Sequence, residues 1–367
     1  MKAMSGIPTH PNRRFEEFLD KSRALEGQHL TQSIPREYFT PRTARGLLGL
    51  AVSLALYAGA IAGVAYSPSW LLDIPLWFVA GLGGWGMHCI AHDCGHGSFS
   101  RSRRLNTAVG SFALLPLLYP YHSWRHVHNL HHSHTNNLEL DTDWRPLPPE
   151  AYQRLSPLAK AIYAGTRTWA FWGGTVRYWF VSGFRPGYFP KRSMRRDVWR
   201  SIAFTGPVAV VGLSTLVWLT GVQGLLGYFV LPWLTTHLWF SATTLMHHSA
   251  ADVPFLTSEY WTRNASRLLL TTDYAYPKAL LFLTHNISVH TAHHVAPAIP
   301  FYNLPKAQLA LKKAHPGMVR EERLRPGHLW RILSDLHLYD TEAGFYTGFE
   351  AAKEPPKNRP KTTSRPS

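Results

Sequence analysis

Residues 46–66 read GLLGLAVSLALYAGAIAGVAY, without one charged side chain. A helix rises 1.5 Å per residue, so about 20 consecutive apolar residues span the hydrocarbon core of a bilayer. A soluble domain has no use for such a stretch, and the rest of the sequence repeats the pattern. Pro68 breaks the chain, and a second apolar run covers 71–91, beginning near Asp73 and ending in histidines. A further pair, 201–220 and 224–246, is divided by the short link Gly221-Val222-Gln223. The expectation is an all-α integral membrane protein with four spans in two hairpins. Residues 107–121 are apolar but too short to span, which predicts a buried or interfacial segment. Residues 160–190 are rich in Trp, Tyr, Phe and Arg, which predicts a helix lying at headgroup level.

Charge sets the orientation. Two hairpins leave both termini and the large middle loop on one side. The tight links 67–70 and 220–223 hold no Lys or Arg, whereas the N-terminal arm, the 97–200 segment and the C-terminal region hold nearly all of them. Basic loops stay in the cytosol, so both termini and any site between the hairpins are expected there. The domain reading is a cytosolic arm over 1–45, a membrane domain over 46–310, and a cytosolic C-terminal region over 311–367. Its Pro- and Lys-rich tail from Lys353 predicts disorder. The first forty residues are polar and charged, so no secretory signal peptide is expected. The net charge of +16 raises the question of nucleic acid. The basic residues flank apolar runs, however, as in Arg101-Arg103-Arg104 and Lys191-Arg192-Arg195-Arg196. That placement suits an anionic leaflet, and no nucleic-acid partner is expected. With only Cys89 and Cys94, neither a disulfide framework nor a cysteine zinc site is available.

Histidine is over-represented, with 21 residues, and it clusters. His92-Asp93-Cys94-Gly95-His96 closes the second span, and i, i+4 spacing puts both imidazoles on one helical face. His128-Asn129-Leu130-His131-His132 and His290-Thr291-Ala292-His293-His294 share the form HxxHH, again one face. A single HxxxH pair is common on surface helices. Three such clusters, each beside an apolar hairpin and all on one side, point to convergence. Neutral imidazole binds Zn, Cu, Fe or Ni. Eight imidazoles exceed the needs of one four-coordinate metal and suit two metals with open positions.

At these residues the chain resembles the membrane fatty acid desaturase family. HDCGHGSF at 92–99 is similar to that family's first box. Trp124-Arg125 with HNLHHSHTN at 128–136 and LELDTDWRPLP at 138–148 is similar to the second, and HNISVHTAHHVAPAIPFYNL at 285–304 to the third. The resemblance covers roughly 40–310 and is nearest the acyl-lipid branch with the omega-6 and omega-3 desaturases. It implies a helical cytosolic cap holding two iron ions. It also implies a ninth ligand at the end of the fourth span, where Met246-His247-His248-Ser249 stands. His248 is the choice, with His247 and His285 as alternatives. A histidine that often ends the family's third box is replaced by Asn303. Asp93, Asp141, Asp143 and Asp273 are candidates to accept the outer N–H of ligating imidazoles, or else are solvated loop carboxylates. His88, one turn before His92, and Asn286 are further candidates to flank the site. His122, His126 and His134 read as surface or outer partners.

The implied reaction uses O2 and two external electrons to remove two hydrogens from neighbouring methylenes, leaving a cis double bond. The substrate is expected to be a fatty acyl lipid, acyl-CoA or acyl-carrier. His315-Pro316-Gly317 is similar to the haem-ligand motif of cytochrome b5, but Met318 follows and no domain of that size surrounds it. A separate donor, a ferredoxin or a free cytochrome b5, is therefore expected, drawn to the basic face. A hydroxylase, acetylenase or carotenoid-modifying oxygenase would share the boxes. A non-enzymatic membrane metal-binding protein would need charged residues along a path through the spans, and 46–66 and 201–220 have none.

Overall fold

The long charge-free runs fold as helices, because a backbone in lipid must satisfy its own hydrogen bonds. A computed structural model describes residues 13–325, 327–341 and 343–353; the tail expected to be disordered lies, beyond Lys353, outside them. After α1 (Arg13–Ala24) come α2 (Thr43–Tyr66) and α3 (Trp70–His96), then α4 (Arg103–Ala113) and α5 (Tyr121–His134). Helices α6 (Pro149–Gln153), α7 (Pro157–Arg167) and α8 (Gly173–Tyr178) lead to α9 (Arg192–Leu225) and α10 (Leu231–His248). The remainder is α11 (Arg263–Leu268), strand β1 (Thr272–Ala275), α12 (Lys278–Leu283), α13 (His290–Val295) and α14 (Leu304–Ala314). Strand β2 (Arg320–Arg323), which pairs parallel to β1, then α15 (Gly327–Asp335) complete the elements used below.

Among the described residues, three helices are long and apolar enough to cross a membrane: α2, α3 and the 57-residue run Arg192–His248 that joins α9 to α10. The last contains both of the later apolar runs. Its helical course is interrupted at Gly221, with φ 68° and ψ −171°, inside the predicted link. Of the three, α3 is the inner one: 61% of its apolar window is buried, against 28% in α2 and 6% in the long run.

Glycine explains why α3 can sit inside. A Cβ on Gly83 would stand 2.6 Å from the backbone nitrogen of Tyr57 in α2, and one on Gly84 would stand 2.5 Å from Thr236 Oγ1 in α10. Small residues let helix backbones approach where lipid supplies no hydrophobic drive. Trp77 Nε1 donates to the Gly227 carbonyl at 2.9 Å, tying the α3 start to the turn before α10. Gly97, φ 74°, takes the left-handed conformation that ends α3 directly after the first histidine box.

Residues 107–121 are buried where they leave α4: Leu114, Leu117, Tyr119 and Tyr121 pack with Ile90 of α3 and Trp124 of α5. The 160–190 segment is not one interfacial helix. It breaks into α7, α8, a π-helical turn over Trp179–Gly183 and a 3-10 turn over Pro186–Tyr188. The chain turns over 168–172 and again at 184–185, and buried polar anchors draw it inward. Arg167 donates to the Trp144 carbonyl at 2.7 Å, and Ser123 donates to the Gly183 carbonyl at 2.7 Å.

Candidate metal centre

The three boxes and the end of α10 meet at one place. The first box is the last turn of α3, the second the last turns of α5, and the third is α13. Five histidines, His92, His96, His128, His132 and His293, bring one ring nitrogen each to within 4.8 Å of one another. His131, His248 and His294 form a second such group. His290 completes its edge, with Nε2 3.0 Å from Nε2 of both His248 and His294. The two groups adjoin: the His132 and His294 rings stack with centroids 4.2 Å apart.

Protons alone do not satisfy these nitrogens. His132 Nε2 lies 3.0 Å from Nε2 of both His128 and His293. His248 Nε2 lies 3.2 Å from that of His131 and 3.0 Å from that of His290. A neutral imidazole nitrogen offers one proton or one lone pair, so it cannot serve two such neighbours that also face others. The Nε2 atoms of His92 and His96 are buried without a hydrogen-bond partner among the described residues. A cation at the centre of each group would take all of these lone pairs. With a metal–imidazole bond of about 2.1 Å, neighbouring ligands at right angles stand about 3.0 Å apart, the spacing found here. The donor set therefore fits two metal ions.

Burial, then mutual repulsion, holds His128, His132, His290, His293 and His294 well below the usual imidazole range, in the neutral form that a ligand needs. His131 moves the other way. Burial lowers it, but the adjacent Asp141 carboxylate outweighs that and leaves it raised.

The carboxylates divide by role. Asp141 accepts from His131 Nδ1 at 2.8 Å and also from the backbone N–H groups of Asn136 and Asp143, so it holds the ring by a loop it has itself ordered. Asp273 does not reach an imidazole. Its Oδ1 accepts from the backbone N–H groups of His290 and Thr291, and Gln308 donates to its other oxygen. It thus fixes the start of α13, where the third box begins. Burial pushes its carboxyl up to about 6. Asp93 accepts from the backbone N–H of Phe301 at 2.9 Å, tying the first box to the segment after the third. Asp143 faces a cavity instead, and burial pushes it up to about 6.

The other candidates separate as plainly. His247 turns its Nδ1 to the Thr272 carbonyl at 2.6 Å and stacks on His290 at 4.3 Å, behind the second group. His285 pairs with Ser53 Oγ at 2.8 Å, away from both groups. Asn286 donates to the Phe301 carbonyl at 3.1 Å. His88 stacks on Trp85 at 4.9 Å and joins neither group. His126 faces Asp197 across 3.8 Å, and His134 points Nδ1 at the Leu130 carbonyl. Two partners were missed by sequence reasoning. Thr135 Oγ1 stands 3.2 Å from His294 Nδ1, and Gln308 Oε1 accepts from the Ala292 N–H at 3.0 Å. The first lies inside the HTN of the second box and could have been found there. The second lies on a helix with no motif.

A cavity opens onto the centre. Trp85, Tyr119, Trp124, Tyr178 and Phe240 supply much of its apolar wall, and it reaches His92, His128, His131 and His290. Apolar walls ending at a metal-capable site suit an alkyl chain.

Fold and site are those of a membrane protein with histidine groups able to hold metal, and comparison with known proteins gives the family. The fatty acid desaturase family profile matches residues 68–322. The sn-1 oleoyl-lipid 12-desaturase of Synechocystis sp. is 32% identical over 340 residues, covering 93% of this chain and 94% of that protein. That of Picosynechococcus sp. is 33% identical, covering 92% of this chain and 94% of that protein. The chloroplastic omega-6 fatty acid desaturase of Spinacia oleracea is 33% identical, covering 87% of this chain and 71% of that protein. The chain belongs to the fatty acid desaturase family, and it is a fatty acyl desaturase, an oxidoreductase of lipid metabolism.

Proposed function

We propose that the enzyme is a di-iron desaturase that inserts a cis double bond at the 12, or omega-6, position of a lipid-bound oleoyl chain. One iron is held by His92, His96, His128, His132 and His293, the other by His131, His248, His290 and His294. The observation that carries this is the pair of adjoining imidazole groups at cis-ligand spacing. The names of the relatives support the oleoyl-lipid substrate and the position. Bound iron would supply the redox chemistry with O2. The chain's own residues do the rest. Asp141 and Thr135 orient His131 and His294 from outside, Asp273 fixes the third box, and the aromatic cavity holds the methylenes and excludes water.

In the membrane the protein is read as four spans in two hairpins, the second pair divided at Gly221, under a cytosolic cap that carries the centre. Both termini are cytosolic. This is supported by the uncharged links 67–70 and 220–223 and by the meeting of the α3 and α10 ends at one site. The two electrons come from a separate ferredoxin or cytochrome b5 type donor.

The deciding experiment is expression in a host with simple lipids, followed by fatty-acid profiling. The expected product is a dienoic chain two hydrogens lighter than the monoene. A hydroxylated or acetylenic product would replace this reading with another outcome on the same scaffold.

A further inference from the structure

The centre has a second opening, and it is basic. A groove runs between α4 and α9, and its floor is the end of α3 from Cys94 to Gly97, including His96. One wall is a single face of α4, where Arg103, Thr107 and Ser111 follow at i, i+4, i+8. The opposite wall is a face of α9 with Asp197, Arg200, Ser201 and Phe204. Arg125 of α5 lies at the inner end, with its Nε buried and unpartnered among the described residues.

The charge is one-sided. Four arginines line the groove against one carboxylate, Asp197, which already pairs with Arg200 at 3.3 Å. Arg103 and Arg104 are exposed and form no ion pair among the described residues. Arginine clusters of this kind match phosphate oxygens, which they can bind through two parallel N–H donors.

The groove also has a level. The apolar run 201–220 of α9 begins at its wall, after Arg192, Arg195, Arg196 and Arg200. Phe204 and Phe112 are exposed on its α9 and α4 sides, and Trp199 is 61% exposed beside it. Basic residues followed by aromatic and then apolar ones mark the headgroup region of a bilayer. A folded acidic protein would approach from the water, not into a concave slot at this level.

We propose that this groove binds the phosphate-bearing headgroup of the phospholipid whose acyl chain is desaturated. The inference rests on the desaturase reading and adds to it the headgroup class. Phosphate held by Arg103, Arg104 and Arg200 would anchor the lipid at the mouth of the groove and leave its acyl chain to run on to the centre.

The test uses the full-length, iron-loaded enzyme in nanodiscs, wild type and Arg103→Glu/Arg104→Glu, with iron content matched. The same oleoyl chains are offered on phosphatidylglycerol and on diacylglycerol, which lacks phosphate. The wild type is expected to prefer phosphatidylglycerol. The double variant should lose about tenfold of that preference in kcat/KM, through KM. Phosphatidylglycerol that co-purifies, read by mass spectrometry, should fall in parallel. An unchanged preference overturns the proposal. So does an equal loss on both lipids with a raised KM for the electron donor, which would make the groove a protein docking face. If the wild type desaturates neither lipid, the desaturase reading fails instead, and the co-purified lipid still reports on the groove.

Discussion

The carboxylate of Asp141 stands 2.8 Å from Nδ1 of His131, ten residues earlier, while Nε2 of the same ring faces His248 Nε2 at 3.2 Å. One side chain thus fixes the tautomer and the direction of a proposed ligand. The Asp141→Asn variant keeps the size and removes the charge. Loss of such an outer partner lowers metal affinity about 10- to 100-fold. Iron stoichiometry after challenge with a chelator should drop, and activity should drop with it. A variant that keeps its iron like the wild type would show that Asp141 serves only the loop.

Adjacent histidines separate the proposed ninth ligand from its neighbour. His248 enters the second group, whereas His247 stacks on His290 outside both groups and His285 is engaged by Ser53. His248→Ala should lose one iron and essentially all turnover. His285→Gln should retain both irons. Metal analysis of the purified variants decides this, and the opposite pattern would move the ninth ligand to the loop before α13.

Much of this site was legible in the sequence because it is local. Spacing of i, i+3 and i+4 shows which imidazoles share a face, and the apolar runs show which helices are long and apolar enough to cross a membrane. What was not legible depends on tertiary meeting. His247 and His248 are neighbours of the same type, and only the packing of α10 against α3 decides which one points inward. Asp273 reads as an imidazole partner but acts on the backbone of α13, because a six-residue helix needs its first N–H groups satisfied. Gln308 and the arginine groove are built from elements far apart in sequence. The 160–190 segment misled because aromatic and basic composition implies an interface, while turns over 168–172 and 184–185 cut the helix into pieces.

The tight approach of α2 and α3 gives a stability prediction. At Gly83 a methyl group would meet the backbone of Tyr57, which cannot swing aside as a side chain can. Gly83→Ala should cost about 1–3 kcal/mol by overpacking. A thermal shift of the detergent-solubilised protein measures it. An unshifted midpoint would mean that the two helices part easily.

Orientation can be read by labelling, since Cys89 and Cys94 are both buried and give little background. A cysteine at the exposed Arg101 position should react only from the cytosolic side. One at Val222, 64% exposed beside the Gly221 break, should react only from the other side. Labelling of both positions from the same side would remove the second hairpin.

The metal of the working enzyme is predicted to be iron, although the isolated protein is expected to accept zinc. The argument starts from the donors. Nine neutral imidazoles suit several divalent ions, and intrinsic affinity generally ranks Zn above Fe(II). The imidazoles alone therefore do not select iron; metal supply in the cell and the geometry of the two groups must. Zinc has no accessible redox change, so it can fill both groups and stabilise the fold while supplying no electron to O2. An overproduced sample would then be well folded, zinc-loaded and inactive. Across preparations, turnover should rise in proportion to iron content and not to total metal. Anaerobic removal of zinc and loading with Fe(II), followed by an electron donor and O2, should restore it. Desaturation by zinc-loaded, iron-free protein would sink the di-iron reading, and the paired imidazole groups would need another purpose.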